Sequence, residues 1–321
     1  MSKSKRILLT LMAGIGIVAI VGGLWVVKLK TQKESGPNFS AEKKITVFSS
    51  NITVMKEQEL TNITPQLKLE EKMINDFAVA NIQYKFGDNI EVIDSELIKK
   101  WLTVDKEQVR LNEDEVKDYV ESLAKKYDTV GSERQFVDSH GDVVTVSGGP
   151  YGWEMNQKEE IKELLALINQ GKSIKDREPV YKHKAFTRGI NDIGNTYVEV
   201  NMSEQKMWFY KDGELIVSTN IVTGNMAKGH DTPTVVGYIY NKVRNTNLVG
   251  TGYVAFVHYW MKVYGSIGIH DASWRNKFGG NIYTTNGSHG CINTPFDNVK
   301  TIFDNIEIGT PVIIFYENEK D

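Results

Sequence analysis

The hydrophobic pattern changes in character several times along the chain. Ile7 to Val27 is apolar except for Thr10 and small glycines, and it contains no charged residue. At a rise of 1.5 Å per residue, a helix of this length crosses a membrane, so residues 1–28 are predicted to form a short cytoplasmic tail and a transmembrane helix. Residues 29–44 are polar and aperiodic, which is typical of a linker.

Residues 45–189 are predicted to form an α+β domain. Helix-capping patterns begin at Asn112 and Asn156, each followed by an apolar stripe with helical spacing. Between the two predicted helices, alternating apolar residues within 136–146 flank a Ser-His-Gly-Asp turn, which predicts a β-hairpin.

Residues 190–321 show short alternating segments that predict a mainly-β domain. The predicted strands are 197–200, 206–210, 215–222, 235–240, 254–257, 267–269 and 312–316. After Cys291 the sequence predicts a helix, with Thr294 as its cap and Pro295 in its first turn. His258, Tyr259 and Trp260, with Tyr253 and Tyr264, are expected in a longer connection between strands, where a lid over a site and core packing are both consistent with the pattern.

Charge and cysteine content narrow the class of protein. The net charge of the 321 residues is −3 and no basic cluster stands out, so no nucleic-acid partner is expected. Lysine and arginine flank the apolar segment evenly, but the length of the C-terminal part favours an extracytoplasmic position; an enzyme tethered inward is the alternative. The single cysteine excludes an internal disulfide, so Cys291 is either buried and inert or reactive.

The candidate chemistry is concentrated in His270 and in Ser288-His289-Gly290-Cys291. The N-terminus of the following helix would favour the Cys291 thiolate. Either histidine could be the general base. A zinc site formed by His270, His289 and Cys291 is disfavoured because it needs a further ligand and lacks the usual spacing.

These residues resemble the YkuD-type catalytic domain of L,D-transpeptidases. Val222-Thr223-Gly224 and Thr232-Pro233 add to the resemblance, which covers about residues 190–317 and implies a YkuD-like β-sandwich with a short helix after the cysteine. Asn293 stands where many members have arginine, and Asp271 stands where many have glycine. On the segments Leu123-Ala124-Lys125-Lys126-Tyr127-Asp128 and Gly149-Pro150-Tyr151-Gly152-Trp153, residues 51–183 look like the peptidoglycan-binding domain that precedes this domain in membrane-anchored Gram-positive enzymes.

The resemblance implies a role for each residue of the motif. Cys291 would attack the bond between the third stem residue and D-alanine, leaving a thioester. His270 would be the base, with its ring held by the backbone carbonyl of Ser288. The backbone N–H groups of Gly290 and Cys291 would stabilise the oxyanion. His289, Asn293, Tyr259 and Trp260 are the expected substrate contacts.

The expected partners follow from these roles. The donor is a tetrapeptide stem and the acceptor is an amine of a neighbouring stem, so the product is a 3-3 cross-link. Carbapenem-type β-lactams are expected to be covalent inhibitors, and no metal or cofactor is required. The expected location is the cell membrane, with a single span and the catalytic domain in the cell wall.

Three alternatives stay open on the sequence. An L,D-carboxypeptidase or other cysteine hydrolase of the wall would use the same acylation and finish with water. A sortase ranks lower, because its characteristic TLxTC segment is absent. A non-catalytic wall-binding protein would have an unreactive, buried Cys291.

Overall fold

The structure, a computed structural model, describes residues 6–12, 15–21, 25–28, 57–105, 108–189, 191–250 and 252–317, with side chains from residue 66 onward. These residues form two compact units. The first comprises the described residues up to Gln83 with Glu91–Lys117 and Glu163–Arg177. The second comprises Tyr84–Ile90, Asp118–Lys162 and the described residues from Glu178 onward.

The apolar N-terminal segment contains three short strands, β1 (Arg6–Met12), β2 (Ile15–Val21) and β3 (Trp25–Lys28), paired antiparallel in that order. The transmembrane helix predicted here is therefore not observed. Within the described ranges, no helix is both long and apolar enough to cross a membrane. The predicted linker, residues 29–44, lies outside the described residues.

The middle of the chain contains both helices and strands. In order they are α1 (Glu57–Phe77), β4 (Asn81–Phe86), β5 (Asn89–Ile93), α2 (Ser95–Lys100), β6 (Leu102–Asp105), β7 (Gln108–Leu111), α3 (Glu113–Tyr127), β8 (Arg134–Val137), β9 (Val143–Val146), β10 (Glu154–Met155), α4 (Gln157–Asn169), β11 (Ser173–Arg177) and β12 (Tyr181–His183). The sheet orders are β11-β4-β5, β6-β7, β8-β9 and β10-β12.

Both helix starts predicted in this region are confirmed. The Asn112 side chain accepts a hydrogen bond from Asp114 N at 3.1 Å, and α3 follows directly. The Asn156 side chain accepts from Glu159 N at 3.4 Å before α4. The predicted hairpin is β8 paired antiparallel with β9. These features are local in sequence, which is why the pattern predicted them.

The C-terminal part is mainly β. Its elements are β13 (Tyr197–Asn201), β14 (Lys206–Lys211), β15 (Glu214–Asn220), a 3₁₀ turn (Met226–Lys228), β16 (Val235–Tyr238), β17 (Asn241–Gly250), β18 (Tyr253–Tyr264), β19 (Ile267–Asp271), α5 (Ile282–Asn286), β20 (Ile292–Thr294), α6 (Phe296–Asn305) and β21 (Pro311–Phe315). They build a five-stranded sheet, β15-β14-β13-β21-β16, and a four-stranded sheet, β17-β18-β19-β20.

One apolar core joins the two sheets and α6 into a sandwich. Each sheet contributes alternate residues, for example Val200 and Phe209 from the first sheet and Met261 and Ile269 from the second. Helix α6 contributes Val299, Ile302 and Phe303 to the same core. The predicted mainly-β domain is confirmed.

The other face of the five-stranded sheet is also covered. Ile313 and Phe315 of β21 pack in a second cluster with Phe136, Tyr151 and Trp153. Strand β21 is consequently buried at every position, which fits its uninterrupted apolar sequence. Residues 136–153 thus belong to the same compact unit as the sandwich. The division of the sequence into domains at residues 45–189 and 190–321 stays a prediction.

The connection predicted around Tyr253–Tyr264 is a long β-hairpin instead. Strands β17 and β18 pair in register from Asn241 opposite Lys262 to Gly250 opposite Tyr253. Most residues of β17 are polar, and none of them is fully buried. The local sequence therefore lacks the alternation of apolar and polar residues that marks a strand. The pairing with β18 determines its conformation.

Candidate active site

Three neighbouring strands of the four-stranded sheet, β18, β19 and β20, place three of the predicted site residues side by side. Trp260 of β18 lies opposite His270 of β19, and His270 lies opposite Asn293 of β20. Paired residues on neighbouring strands point to the same face of a sheet. The sheet register, rather than the chain sequence, therefore brings Asn293 to His270.

His270 is held in one orientation by hydrogen bonds at both ring nitrogens. It is 3% exposed, its Nδ1 donates to the backbone oxygen of Asp271 at 2.8 Å, and its Nε2 accepts from Asn293 Nδ2 at 3.2 Å. Since a carbonyl can only accept, the proton of the neutral ring is on Nδ1. Burial lowers the pKa of His270, so the ring is neutral at pH 7 and Nε2 can take up a proton.

The predicted support for this ring is corrected by the structure. The carbonyl that accepts from His270 belongs to Asp271, not to Ser288. Asp271 is the next residue on β19, so the backbone carbonyl comes from the histidine's own strand. The Ser288 carbonyl instead accepts from Asn225 N.

Asp271, which stands where many relatives have glycine, has a second structural role. It is completely buried, and its Oδ1 accepts from the backbone N–H groups of His258 and Tyr259, each at 2.8 Å. Its Oδ2 lies 3.1 Å from His258 Nδ1. The carboxylate therefore ties β18 to β19 directly beside His270.

A hydrogen-bonded turn positions Cys291. Ser288 Oγ donates to the backbone oxygen of Cys291 at 2.5 Å and accepts from Gly290 N at 3.0 Å. Gly290 has φ +111°, and a Cβ there would lie 2.7 Å from Ile267 Cδ1. The turn therefore favours glycine at this position because of its positive φ, and any larger residue would also displace the end of the Ile267 side chain.

Thr232 fixes the peptide plane that precedes Cys291. Its Oγ1 donates to the Gly290 carbonyl at 2.6 Å and accepts from Gly224 N at 2.9 Å. Because the C=O and N–H of a trans peptide point in opposite directions, the Cys291 N–H points away from Thr232. The predicted oxyanion pair is corrected in part, since the Gly290 N–H is already bonded to Ser288 Oγ.

Cys291 is a half-buried thiol rather than a thiolate at a helix terminus. Its Sγ lies 3.7 Å from the backbone oxygen of Ser266. Burial raises the pKa of the Cys291 thiol, and the Gly268 backbone N–H offsets this only in part. Reactivity must then come from proton transfer to a base at the moment of attack.

The predicted helix after Cys291 is confirmed as α6, but it begins one position later than predicted and does not adjoin the cysteine. A short strand, β20, follows the cysteine and pairs in parallel with β19, and α6 begins only at Phe296. Pro295 occupies the cap position, so Thr294 is not the cap. The field of a helix N-terminus falls off within its first turn, which removes this explanation for an acidic thiol.

Most of the predicted site residues line one cavity of about 670 Å³. The lining includes Cys291, His270, Ser288, His289 and Asn293, and also Tyr253, one of the aromatic residues of the predicted connection. It further includes residues that the sequence did not single out: Leu248, Val254, Ala255, Trp274, Arg275, Asn276, Lys277, Ile282, Asn286 and Gly287. None of these is acidic, while Arg275 and Lys277 are cations. The cavity therefore favours an anionic ligand.

Two predicted substrate contacts do not line the cavity. Tyr259 is in the sandwich core, 7% exposed, with its ring 5.2 Å from that of Phe303, so its assignment as a substrate contact is corrected. The Trp260 ring lies 5.9 Å from the His270 ring and flanks it. Trp274, which was not predicted, lies 5.9 Å from the same imidazole and does line the cavity.

His289 belongs to an aromatic stack at the edge of the cavity. Its ring lies 4.4 Å from that of Tyr253 and 4.8 Å from that of His230. Burial, with smaller contributions from His230 and Lys228, lowers the pKa of His289. The stack joins the tip of the β17–β18 hairpin to the residue next to Gly290.

Arg275 is the residue that sequence reasoning missed. Its Nε donates to Asn293 Oδ1 at 2.7 Å and its Nη1 donates to the Asn286 carbonyl at 2.8 Å. A chain of hydrogen bonds thus runs from Arg275 through Asn293 to His270 Nε2. The only sequence signal was a basic residue shortly after the candidate histidine, in a segment without periodicity.

Comparison with known proteins agrees with this site. Residues 195–314 match the YkuD family, described as the L,D-transpeptidase catalytic domain, and residues 59–177 match a family of peptidoglycan binding domains. No curated protein sequence gives a match.

Two solved structures are similar over most of the chain. A cysteine-to-serine variant of an Enterococcus faecium L,D-transpeptidase is 34% identical, with a TM-score of 0.61, over 77% of this chain and 99% of that one. The avibactam carbamoyl form of the enzyme Ldtfm is 35% identical, with a TM-score of 0.62, over 78% of this chain and 100% of that one. With this identity over nearly the whole length of both relatives, and with His270 and Cys291 lining one cavity, the chain belongs to the L,D-transpeptidase family.

Proposed function

We propose that this enzyme forms 3-3 cross-links in peptidoglycan through a thioester on Cys291, with release of D-alanine from a tetrapeptide stem. The observation that supports it best is the cavity in which the single cysteine lies with a buried imidazole whose Nε2 can accept a proton. An acyl transfer through cysteine needs this pair of groups.

In the first step, Cys291 Sγ attacks the carbonyl carbon of the scissile bond. The thiol proton passes to His270 Nε2, and the S–C bond forms. His270 then protonates the departing nitrogen as the C–N bond breaks, so free D-alanine leaves and a thioester remains. For this transfer Nε2 exchanges its hydrogen bond with Asn293 Nδ2 for one with the thiol, since catalytic hydrogen bonds tighten only in the substrate complex.

The negative charge on the carbonyl oxygen during attack needs a fixed donor. The Cys291 N–H is the candidate, because Thr232 holds the same peptide plane through the Gly290 carbonyl. A donor of this kind is effective because it needs no reorganisation when the charge develops.

In the second step, an amine of a neighbouring stem attacks the thioester. The amine proton passes to His270 Nε2, the new amide forms, and the thiol is regenerated with the proton from the imidazole. If water attacked instead, the same thioester would give a shortened stem and the enzyme would be a carboxypeptidase.

Product analysis of the full-length chain tests the proposal. Wild type and Cys291→Ala are incubated with a disaccharide-tetrapeptide, and D-alanine, monomers and dimers are measured by mass spectrometry. The expected result is D-alanine release with dimer formation by the wild type and neither product with Cys291→Ala. Release of D-alanine without dimers, at saturating acceptor, contradicts the transpeptidase assignment and favours the hydrolase.

The same nucleophile is proposed to react with β-lactams of the carbapenem type. The relative Ldtfm forms a carbamoyl adduct with avibactam, which supports an acylating inhibitor at the corresponding site. Incubation of the full-length chain with a carbapenem is expected to add the inhibitor's mass to the wild type and not to Cys291→Ala.

We also propose that residues 7–27 attach the enzyme to the cell membrane, with the catalytic domain in the cell wall. The support is the uncharged, apolar sequence from Ile7 to Val27. Fractionation of cells that express the chain with and without this segment tests the proposal. Equal recovery of both forms in the aqueous fraction contradicts it.

A further inference from the structure

Arg275 is a cation without a counter-charge in the active-site cavity. It is half-buried, and within the part of the chain that the structure describes it forms no ion pair. Burial lowers the pKa of its guanidinium, and no acidic group offsets that effect. Since a partly desolvated charge is costly unless it is paired, the arrangement favours an anion from outside the chain.

The guanidinium is already oriented for such an anion. Nε is bonded to Asn293 Oδ1 and Nη1 to the Asn286 carbonyl, whereas no described residue accepts a hydrogen bond from Nη2. A side chain that is fixed in advance loses little conformational entropy when it binds. A planar guanidinium is also well suited to a carboxylate.

The reaction places a carboxylate near this point. This step rests on the proposed function: in a tetrapeptide donor, the residue after the scissile bond is the last one, so its free carboxylate lies about 3.3–3.6 Å of extended chain beyond the scissile amide. The group that binds it must line the same cavity as Cys291 and His270. Arg275 does so, and it is joined to His270 through Asn293.

We propose that the Arg275 guanidinium binds the C-terminal carboxylate of the donor stem and thereby selects donors in which one residue follows the scissile bond. Lys277 lines the same cavity but is exposed. An exposed ammonium group on a flexible side chain orients a bound carboxylate less well than a fixed guanidinium does. Lys277 is therefore the matched control.

The test compares two donors that differ only at this carboxylate. One is the disaccharide-tetrapeptide, and the other is the same compound with a C-terminal amide, which releases D-alaninamide. A charge-assisted hydrogen bond predicts that the wild type prefers the acid by about 10- to 150-fold in kcat/KM. In Arg275→Met this ratio is expected to fall to about 1–3, and in Lys277→Met it is expected to stay at the wild-type level.

A purely positioning role for Arg275, through Asn293, would lower kcat/KM for both donors alike and leave the ratio unchanged. Arg275→Gln retains a hydrogen-bond donor without the charge, and it too is expected to lose the ratio. The inference is overturned if the wild-type ratio is near 1, if the ratio persists in both Arg275 variants, or if it is lost with Lys277→Met instead. Release of neither leaving group by the wild type would instead refute the proposed function itself.

Discussion

Replacement of Thr232 by valine removes the hydroxyl that fixes the peptide before Cys291 and leaves the shape of the side chain almost unchanged. Thr232 is 3% exposed, so water cannot readily replace its two bonds, to the Gly290 carbonyl and to Gly224 N. Each buried backbone group left without a partner costs about 1–3 kcal/mol. The expected loss of unfolding free energy is therefore about 2–6 kcal/mol.

The same substitution should lower kcat by more than a loss of stability alone would explain. Without Thr232 Oγ1 the peptide of Gly290 and Cys291 is free to rotate, and a displacement of about 1 Å at reacting groups lowers rates by about 100-fold. We therefore expect kcat for D-alanine release to fall by about 10- to 100-fold at a temperature where the variant is folded.

Thr219→Val is the matched control for this experiment. Thr219 is 5% exposed and its Oγ1 also makes two hydrogen bonds, with Asn298 Nδ2 and the Asn220 carbonyl, and neither partner belongs to the cysteine turn. Denaturant unfolding and D-alanine release are measured for both variants. The reasoning is refuted if Thr232→Val keeps the wild-type kcat, or if Thr219→Val loses as much.

Four further predictions concern Cys291 and the residues around it. The Cys291 thiolate, followed by alkylation rate, is expected to appear at higher pH than the thiolate of an ordinary cysteine, because burial raises the pKa of the thiol; a thiolate that forms at lower pH than that of free cysteine would contradict a resting thiol. His270→Gln is expected to lower kcat/KM by about 100- to 10,000-fold, and His289→Gln is expected to lower it far less. A larger loss in His289→Gln than in His270→Gln would identify His289 as the base. In the wild type, kcat/KM should fall on acidification with an apparent pKa lower than that of an ordinary histidine, because His270 must be neutral and burial lowers its pKa. Gly290→Ala is expected to destabilise the fold by about 1–3 kcal/mol, because of its positive φ and the close approach to Ile267, and an unchanged unfolding midpoint would contradict this.

Local features of the fold could be predicted from the sequence. The caps at Asn112 and Asn156 and the strands of the five-stranded sheet depend on residues close in sequence, and the structure confirms them. Strand β17 could not be predicted in the same way. It is polar along much of its length, and its pairing with β18 determines its conformation.

The candidate site shows the same division. Cys291 and His270 were identifiable from residue type and resemblance, and they do line one cavity. The environment that sets their chemistry is non-local. Parallel pairing of β20 with β19 separates Cys291 from the following helix, and burial then raises the pKa of the thiol that the helix was expected to lower.

Arg275 illustrates why some site residues stay hidden. It reaches Asn293 from a loop with no periodic pattern, and only the sheet register places Asn293 beside His270. Tyr259 and Trp260 illustrate the opposite error. They are adjacent in sequence, but alternation along β18 buries Tyr259 in the core and places Trp260 on the face shared with His270.

Intact-mass analysis of the full-length chain during turnover tests the central role of Cys291 most directly. With a tetrapeptide donor and no acceptor, the wild type is expected to gain the mass of the donor minus D-alanine, with the adduct mapped to Cys291 by peptide digestion. His270→Gln should form the same adduct much more slowly, and Cys291→Ala should form none. D-alanine release without any adduct on the wild type, or an adduct that persists in Cys291→Ala, would contradict the mechanism.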